Sequence, residues 1–178
     1  LYRNTGDGAF EDVTVKTLPK LEGWGQGVCA GDVDNDGYTD LFISYWGRSR
    51  LLRNVAGKSF KDVELRQPER YSTGCAFLDY DRDGDQDIFF VNATWWPGAA
   101  REGSAPPTMA LYRNDGTGRF EDVTEEAGLA FSCYGVGCAT GDYDSDGDPD
   151  LFISALGPNR LFRNEAGRFR EVTAAAGV

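Results

Sequence analysis

One nine-residue pattern of carboxylates occurs three times in the chain. Its form is Asp-x-Asp-x-Asp-Gly-x-x-Asp, and the copies begin at Asp32, Asp79 and Asp142. Carboxylates at alternate positions repel one another unless a hard cation collects their oxygens. Calcium takes six to eight oxygen ligands at about 2.3 to 2.6 Å. The pattern therefore predicts three calcium ions, one in each loop, with oxygen ligands only.

Glycine at position six of the pattern permits a sharp turn that makes the side chains of positions one, three and five converge. We expect the carbonyl of position seven and the carboxylate of position nine to complete each shell. An alternative is an acidic, solvated turn without metal, but three copies in one register make chance a poor explanation. The predicted ligand residues are Asp32, Asp34, Asp36, Tyr38 and Asp40 in loop 1, Asp79, Asp81, Asp83, Asp85 and Asp87 in loop 2, and Asp142, Asp144, Asp146, Asp148 and Asp150 in loop 3.

The residues that follow each loop distinguish it from an EF-hand. An EF-hand needs a bidentate Glu at position twelve and a helix on each side, whereas position twelve here is Ile43, Phe90 or Ile153. The segments after the loops are short, rich in β-branched and aromatic residues, and without helical period. Each loop is therefore predicted to be the tip of a β-hairpin.

Composition narrows the classes of function. The 178 residues carry a net charge of −11, with 18 Lys and Arg against 29 Asp and Glu, and no His. An acidic chain without a basic run is a poor partner for nucleic acid or an anionic membrane, and no apolar stretch approaches the ~20 residues of a transmembrane helix. Without His, no Ser-His-Asp or Cys-His set can form within the chain. Four cysteines do not resemble a disulfide framework at this length, so we expect reduced core thiols.

A second motif, Leu-x-Arg-Asn, alternates with the loops and begins at residues 1, 51, 111 and 161. A Gly-containing turn and an aromatic-led strand follow each copy, at 10–14, 60–63, 120–124 and 169–173. The strand before each loop contains Gly27, Gly74 or Gly137, and glycine there indicates close approach of backbones. We expect the arginines and asparagines of the motif to satisfy local backbone and acidic groups rather than to bind a ligand. The arginines are Arg3, Arg53, Arg113 and Arg163.

One repeat therefore consists of a strand, an Asp loop, a second strand, a connection, a third strand, a turn and a fourth strand. A four-stranded antiparallel unit of this kind, repeated along the chain, is typical of a β-propeller blade. We predict an all-β propeller region over 1–178, with an orphan half-blade at 1–15 and blades at 24–65, 71–125 and 134–173. A β-sandwich would explain the number of strands but not the fixed register. The half-blade lacks an Asp loop, so we expect a section of a longer propeller, or one completed by another copy.

These motifs resemble a known family. The segment 31–41, with Leu-Tyr-Arg-Asn and Phe-Glu-Asp-Val-Thr, resembles the FG-GAP/VCBS repeats of integrin-α-like propellers. The segment 157–164 and the Val-Thr-x-x-x-Gly endings at 123–128 and 172–177 are most similar to the branch of cartilage acidic and ASPIC/UnbV proteins. The resemblance implies a propeller with calcium on the loop positions named above. It is weaker for function, because the family includes adhesion proteins, secreted proteins and some enzymes.

Three functions remain open from the sequence. The leading expectation is an extracellular, cell-surface or periplasmic propeller that recognises a protein or a glycan and is stabilised by structural calcium. The second is the propeller domain of a secreted enzyme of the ASPIC/UnbV or polysaccharide-lyase type, acting through Lys, Arg, Tyr or Asp. The third is an assembly module completed by other copies of the chain.

The connection in the second blade is the most individual segment. Asn114 follows Asp87 by 27 positions, against 14 for the equivalent residues of the other two blades, and the insert at 94–109 contains Trp95 and Trp96. Paired tryptophans in a loop can stack on a sugar or anchor a protein partner, or they can cap the edge of their own blade. We expect Trp95 or Trp96 to contribute to any ligand contact.

Overall fold

The computed structural model describes residues 1–63, 65, 70–93 and 107–178. These residues form strands and two one-turn helices, α1 (Thr14–Thr17) and α2 (Thr173–Ala176), and within these ranges no helix has the length and apolar character to cross a membrane. The strands are β1 (Tyr2–Asn4), β2 (Phe10–Asp12), β3 (Gly25–Gly31), β4 (Asp40–Gly47), β5 (Arg50–Val55), β6 (Ser59–Val63), β7 (Arg70–Leu78), β8 (Asp87–Asn92), β9 (Ala110–Asn114), β10 (Phe120–Asp122), β11 (Gly135–Gly141), β12 (Asp150–Ala155), β13 (Arg160–Glu165) and β14 (Arg168–Glu171).

The strands pair with their sequence neighbours into antiparallel units. Strands β3 to β6 form sheet 1, β7 to β10 form sheet 2 and β11 to β14 form sheet 3, while β1 and β2 pair separately. Strand β4 also pairs with β7 at its far end, which joins sheets 1 and 2. The Asp loops connect the first two strands of each four-stranded sheet. The predicted all-β fold built from propeller blades is confirmed.

The first strands of the three sheets lie side by side, with β7 between β3 and β11. A β-carbon added at Gly27 would lie 3.2 Å from the Cα of Gly74, and one added at Gly74 would lie 3.5 Å from the Cα of Gly137. The predicted close approach of backbones at these glycines is confirmed. We call the contact of sheets 1 and 2 the first interface and the contact of sheets 2 and 3 the second interface.

Strand β8 shows how a single sheet supplies both interfaces. All six of its residues are buried. Ile88 and Phe90 belong to the apolar cluster that includes Phe42 of sheet 1, whereas Phe89 and Val91 belong to the cluster that includes residues of sheet 3. Successive side chains of a strand point to opposite faces, so alternate residues of β8 pack against sheet 1 and against sheet 3.

Three of the four final strands, β2, β10 and β14, end earlier than the sequence predicts, whereas β6 ends at Val63 as predicted. Strand β2 ends at Asp12 rather than at Thr14, and β10 ends at Asp122 rather than at Thr124. Each Thr donates from its backbone N and from its Oγ1 to Oδ1 of that Asp, at 2.9 and 2.6 Å for Thr14 and at 3.1 and 2.5 Å for Thr124. Such local bonds compete with the sheet ladder. The helix α1 or a turn follows, and the sequence did not predict either.

Candidate metal centres

The shape of each Asp loop depends on the backbone of its position-six glycine. The glycines at position six have φ of 85° at Gly37, 95° at Gly84 and 93° at Gly147. This left-handed conformation is readily adopted only by glycine. Their N–H groups donate to the carboxylate of position one, at 2.8 Å for Asp32, 3.1 Å for Asp79 and 3.0 Å for Asp142. The turn therefore brings position one back over the middle of the loop.

Three carboxylates meet in every loop. Each member of a group offers one oxygen, and these oxygens lie within 4.8 Å of one another. In loops 1 and 3 the members are positions one, three and five, as the sequence predicts, whereas in loop 2 position nine replaces position five. The groups are Asp32, Asp34 and Asp36; Asp79, Asp81 and Asp87; and Asp142, Asp144 and Asp146. Of the other predicted carboxylate ligands, Asp40, Asp83 and Asp150 lie outside the groups. Tyr38, Asp85 and Asp148 were expected to contribute through their backbone carbonyls.

The position-nine aspartates have a second role that the sequence did not reveal. Asp40, Asp87 and Asp150 are buried. In each, Oδ2 accepts from the backbone N of loop position two and Oδ1 accepts from the backbone N of the Asn in the Leu-x-Arg-Asn motif. For Asp87 these two bonds measure 3.0 and 2.9 Å. Each carboxylate oxygen keeps another lone pair, so these residues can tie the loop to the third strand and still bind a cation.

Burial makes two carboxylates of loop 2, those of Asp81 and Asp87, harder to ionise. Burial raises the pKa of Asp87 to about 7. The backbone N–H groups of Asn114 and Tyr80 favour the charged form and oppose this rise, but their effect is smaller. Burial also raises the pKa of Asp81, with the charge of Asp83 adding to the effect. The pKa values of Asp40 and Asp150 rise for the same reason. A cation among these groups would favour their charged forms.

Loops 1 and 2 contain buried carboxylate oxygens without a hydrogen-bond partner. They are Oδ1 of Asp34, of Asp79 and of Asp81, and the Asp34 side chain is only 6% exposed. An unpaired buried carboxylate oxygen is costly, and a hard cation would satisfy it. In loop 3 the three grouped aspartates are exposed, and the buried Oδ1 of Asp148, which lacks a hydrogen bond, is paired with Arg82. The residues of loops 1 and 2 therefore fit calcium most closely.

The arginines of the Leu-x-Arg-Asn motif pair with acidic groups. Arg53 forms an ion pair with Asp34 of loop 1, and Arg163 lies 4.0 Å from Asp144 of loop 3. Arg3 and Arg113 pair with acidic residues of the adjacent strand, Glu11 at 2.6 Å and Glu121 at 2.8 Å. The interpretation of this ladder as one that satisfies local groups is confirmed.

Two asparagines of the same motif, Asn114 and Asn164, bind the preceding sheet. Nδ2 of Asn114 donates to the carbonyl of Val33 in loop 1 at 2.7 Å, and Nδ2 of Asn164 donates to the carbonyl of Tyr80 in loop 2 at 2.7 Å. Both asparagines are buried. The same amides also bond within their own sheet, to the residue before position nine. Each asparagine thus joins two neighbouring Asp loops.

Position four of one loop also contacts position seven of the next. Asn35 donates to Asp85 at 2.7 Å, and Nε of Arg82 lies 2.9 Å from Oδ1 of Asp148. Asn35 and Arg82 have positive φ, 55° and 59°, which turns their side chains out of the loop. The Asp loops therefore form one continuous row. Trp95 and Trp96, the predicted ligand contacts, lie outside the described residues.

The fold and the loops together define a β-propeller repeat protein with an acidic candidate metal site in every four-stranded blade. The FG-GAP-like repeat model matches residues 1–43, 32–90 and 99–153, so the chain belongs to the FG-GAP-like repeat family. The chain is 29% identical to cartilage acidic protein 1 of Xenopus tropicalis over 163 residues, 86% of the chain and 24% of that protein. It is 28% identical to the protein of that name from Homo sapiens over 180 aligned positions, 94% of the chain and 26% of the relative. The chain thus spans about a quarter of the length of these relatives.

Proposed function

We propose that the three Asp loops bind one calcium ion each and that the propeller is an extracellular module for recognising a protein or a glycan. The observation that carries the calcium proposal is the set of buried, unpartnered oxygens on Asp34, Asp79 and Asp81. Each belongs to a residue whose carboxylate lies within 4.8 Å of two others. Oxygen-only groups of this kind are what calcium prefers.

The ions have a structural role in this proposal. A loop joins the first two strands of its sheet, its position-nine aspartate is tied to the third strand, and an asparagine of the following sheet bonds to the loop backbone. An ion that fixes the loop therefore stabilises three strands and one interface. Calcium supplies charge neutralisation there, while the Asp, Gly and Asn residues of the chain position the oxygens.

An extracellular setting suits such sites. Calcium outside cells reaches concentrations that fill sites with dissociation constants of about 10⁻⁴ to 10⁻³ M. The similarity to proteins named cartilage acidic protein 1 supports a role in a matrix or at a cell surface. Trp95 and Trp96 are the proposed ligand contacts, because the sequence predicts a loop there and loops on a rigid scaffold commonly carry recognition.

Native mass spectrometry and thermal melting test the calcium proposal. We expect three bound ions and a melting temperature that rises with calcium, because a ligand bound only by the folded state stabilises it by about 2.7 kcal/mol at 100 times the dissociation constant. Asp34→Asn, Asp81→Asn and Asp144→Asn should each lose one ion. Glu22→Gln is the control, because Glu22 is exposed and pairs with Lys20 outside the loops. A melting temperature that strong chelation leaves unchanged would overturn the proposal.

Binding screens test the recognition proposal. The calcium-loaded chain is applied to glycan and matrix-protein arrays, and hits are measured again with the Trp95→Ala/Trp96→Ala variant. Trp24→Ala is the matched control, because Trp24 is 76% exposed and directly precedes β3 of sheet 1. Loss of binding only in the double variant supports the assignment. Equal binding by all three proteins removes the two tryptophans from it.

A further inference from the structure

Two cysteines from different sheets face each other across the first interface. On β3, Gly27, Cys29 and Gly31 occupy the same face, since side chains alternate along a strand. That face meets β7: a β-carbon at Gly27 would lie 3.2 Å from the Cα of Gly74, and one at Gly31 would lie 2.9 Å from Cδ2 of Phe77. Cys29 therefore points toward sheet 2.

Cys75 points back toward sheet 1. It shares its face of β7 with Phe77, and both pack against the same apolar cluster as Cys29. Its Sγ lies 3.8 Å from the carbonyl oxygen of Phe42, which is the cross-strand partner of Cys29. The contacts of Gly27 with Gly74 and of Gly31 with Phe77 lie on either side, so Cys29 and Cys75 are level with each other.

The two thiols interact in the described structure. All four cysteines are free, and the thiols of Cys29 and Cys75 are close enough to influence each other's ionisation. The interaction with Cys29 lowers the pKa of Cys75, whereas the interaction with Cys75, together with burial, raises the pKa of Cys29. The thiolate is the nucleophilic form of cysteine, and deprotonation of either sulfur of this pair starts the same exchange.

The second interface supplies an internal comparison. The strand position of Cys29 is occupied by Ala76 in sheet 2, because each pairs with the second residue after position nine of its loop, Phe42 or Phe89. The position of Cys75 is occupied by Cys138 in sheet 3. The second interface therefore combines an alanine with a cysteine where the first combines two cysteines.

We propose that Cys29 and Cys75 form a redox-modification site that closes into a disulfide between sheets 1 and 2 by exchange with an external disulfide such as oxidised glutathione. The Cys75 thiolate attacks one sulfur of the external disulfide, whose S–S bond breaks and releases one thiolate, leaving a mixed disulfide. Cys29 then loses its proton and attacks the Cys75 sulfur, which releases the second external thiolate. The two thiols of the protein are oxidised and one external disulfide is reduced to two thiols, which take up the two protons.

The backbones of β3 and β7 approach each other beside the two cysteines. A disulfide usually spans a Cα separation of about 4.4 to 6.8 Å, and the contact at Gly27 and Gly74 brings β3 and β7 together just before the two cysteines. Oxidising compartments preserve such bonds. Neither cysteine is a proposed calcium ligand, so formation of this disulfide does not depend on the calcium sites.

Thiol counting and peptide mapping test the proposal. The folded chain is equilibrated with reduced or oxidised glutathione, and free thiols are then counted after denaturation. We expect four thiols in the reduced protein and loss of two after oxidation. Trypsin should then yield the fragments 21–48 and 71–82 as one species that dithiothreitol separates, because no Lys or Arg lies within them. Retention of all four thiols, or a bridge between Cys133 and Cys138, would overturn the proposal.

Variants locate the bond. Cys29→Ala copies the second interface and should form no bridge. Oxidised glutathione can then leave only a mixed disulfide on Cys75, which mass spectrometry detects as a glutathione adduct of fragment 71–82 and not as two joined fragments. The Cys29→Ala/Cys75→Ala/Ala76→Cys variant moves the pair to the second interface, where the introduced thiol should bridge to Cys138 and join fragments 71–82 and 120–160. Circular dichroism establishes that each variant is folded. A folded relocation variant that forms no bridge, together with a wild type that keeps its thiols, contradicts the geometry inferred here.

Discussion

The two interfaces between blades use the same strand positions but are held together differently. Where Gly27 meets Gly74, an added β-carbon would lie 3.2 Å from the neighbouring Cα, while the equivalent distance from Gly74 to Gly137 is 3.5 Å. The second interface has an additional bond, from Oγ1 of Thr73 to the carbonyl of Gly135 at 2.8 Å. The asparagine bond to the preceding loop is 2.7 Å in both. The glycine contacts and the asparagine bonds are thus common to both interfaces, whereas other side-chain contacts differ between them.

The largest effect should come from the feature that the interfaces share. Asn114→Ala and Asn164→Ala should each lower the free energy of unfolding by about 2–3 kcal/mol, because a buried carbonyl of the preceding loop loses its donor. Asn54→Ala should cost less, about 1 kcal/mol, since its amide bonds to Thr39 within its own sheet. Urea unfolding measures all three. Equal losses for the three variants would show that the bonds between sheets add nothing.

A clash at the second interface should rank next. A β-carbon at Gly135 would lie 2.4 Å from Cγ1 of Val91, whereas at Gly25, the same position in sheet 1, the nearest atom is 3.5 Å away. Gly135→Ala should destabilise the protein by about 1–3 kcal/mol through overpacking. Gly25→Ala is the matched control and should change stability by at most about 0.5 kcal/mol. Similar unfolding midpoints for the two variants would show that sheets 2 and 3 can separate without cost at this point.

Substitution at the glycine contacts tests which interface is tighter. A β-carbon at Gly27 meets Oγ of Ser44 at 3.1 Å and the Cα of Gly74 at 3.2 Å, while one at Gly74 meets the Cα of Gly137 at 3.5 Å. We expect Gly27→Ala to cost about 1 kcal/mol and Gly74→Ala less than half of that. Thermal melting resolves this difference. The reverse order would mean that the second interface is the closer one.

The smallest effect should come from the contacts between loops. Arg82→Gly and Asn35→Gly remove the side chains while keeping a residue that accepts positive φ. Loss of the Arg82 ion pair with Asp148 should cost up to about 1 kcal/mol at low salt and less in ~1 M NaCl. Loss of the neutral donor Asn35 should depend little on salt. If both variants respond alike to salt in urea unfolding, charge does not distinguish the interfaces.

Local patterns explain why much of the architecture could be predicted. The Asp loops, the hairpins and the glycine contacts follow from residues within one repeat, and comparison of repeats fixes their register. The backbone approach at Gly27, Gly74 and Gly137 was predictable because all three precede their loop by the same number of residues. In a chain of repeats, comparison of equivalent positions gives information that otherwise requires an alignment of related proteins.

Contacts between repeats could not be predicted in the same way. The bond from Asn114 to Val33 joins residues 81 positions apart, and no local period marks it. Cys29 stands one residue out of register with Cys75 and Cys138, and only the faces of β3 and β7 show that this offset makes it meet Cys75. The sequence could not show that Asp40, Asp87 and Asp150 accept backbone hydrogen bonds as well as offering metal ligands, because Asp is suited to both roles.

The asparagine bonds also have a direction, because each one points from a later sheet to an earlier loop. Asn114 donates to the carbonyl of Val33, and Asn164 donates to the carbonyl of Tyr80. A ribosome releases the N-terminal part of a chain first, so each acceptor carbonyl leaves the exit tunnel before the amide that binds it. The loop that accepts the bond is therefore already synthesised when the next blade emerges, so the blades can fold and pack one after another during translation.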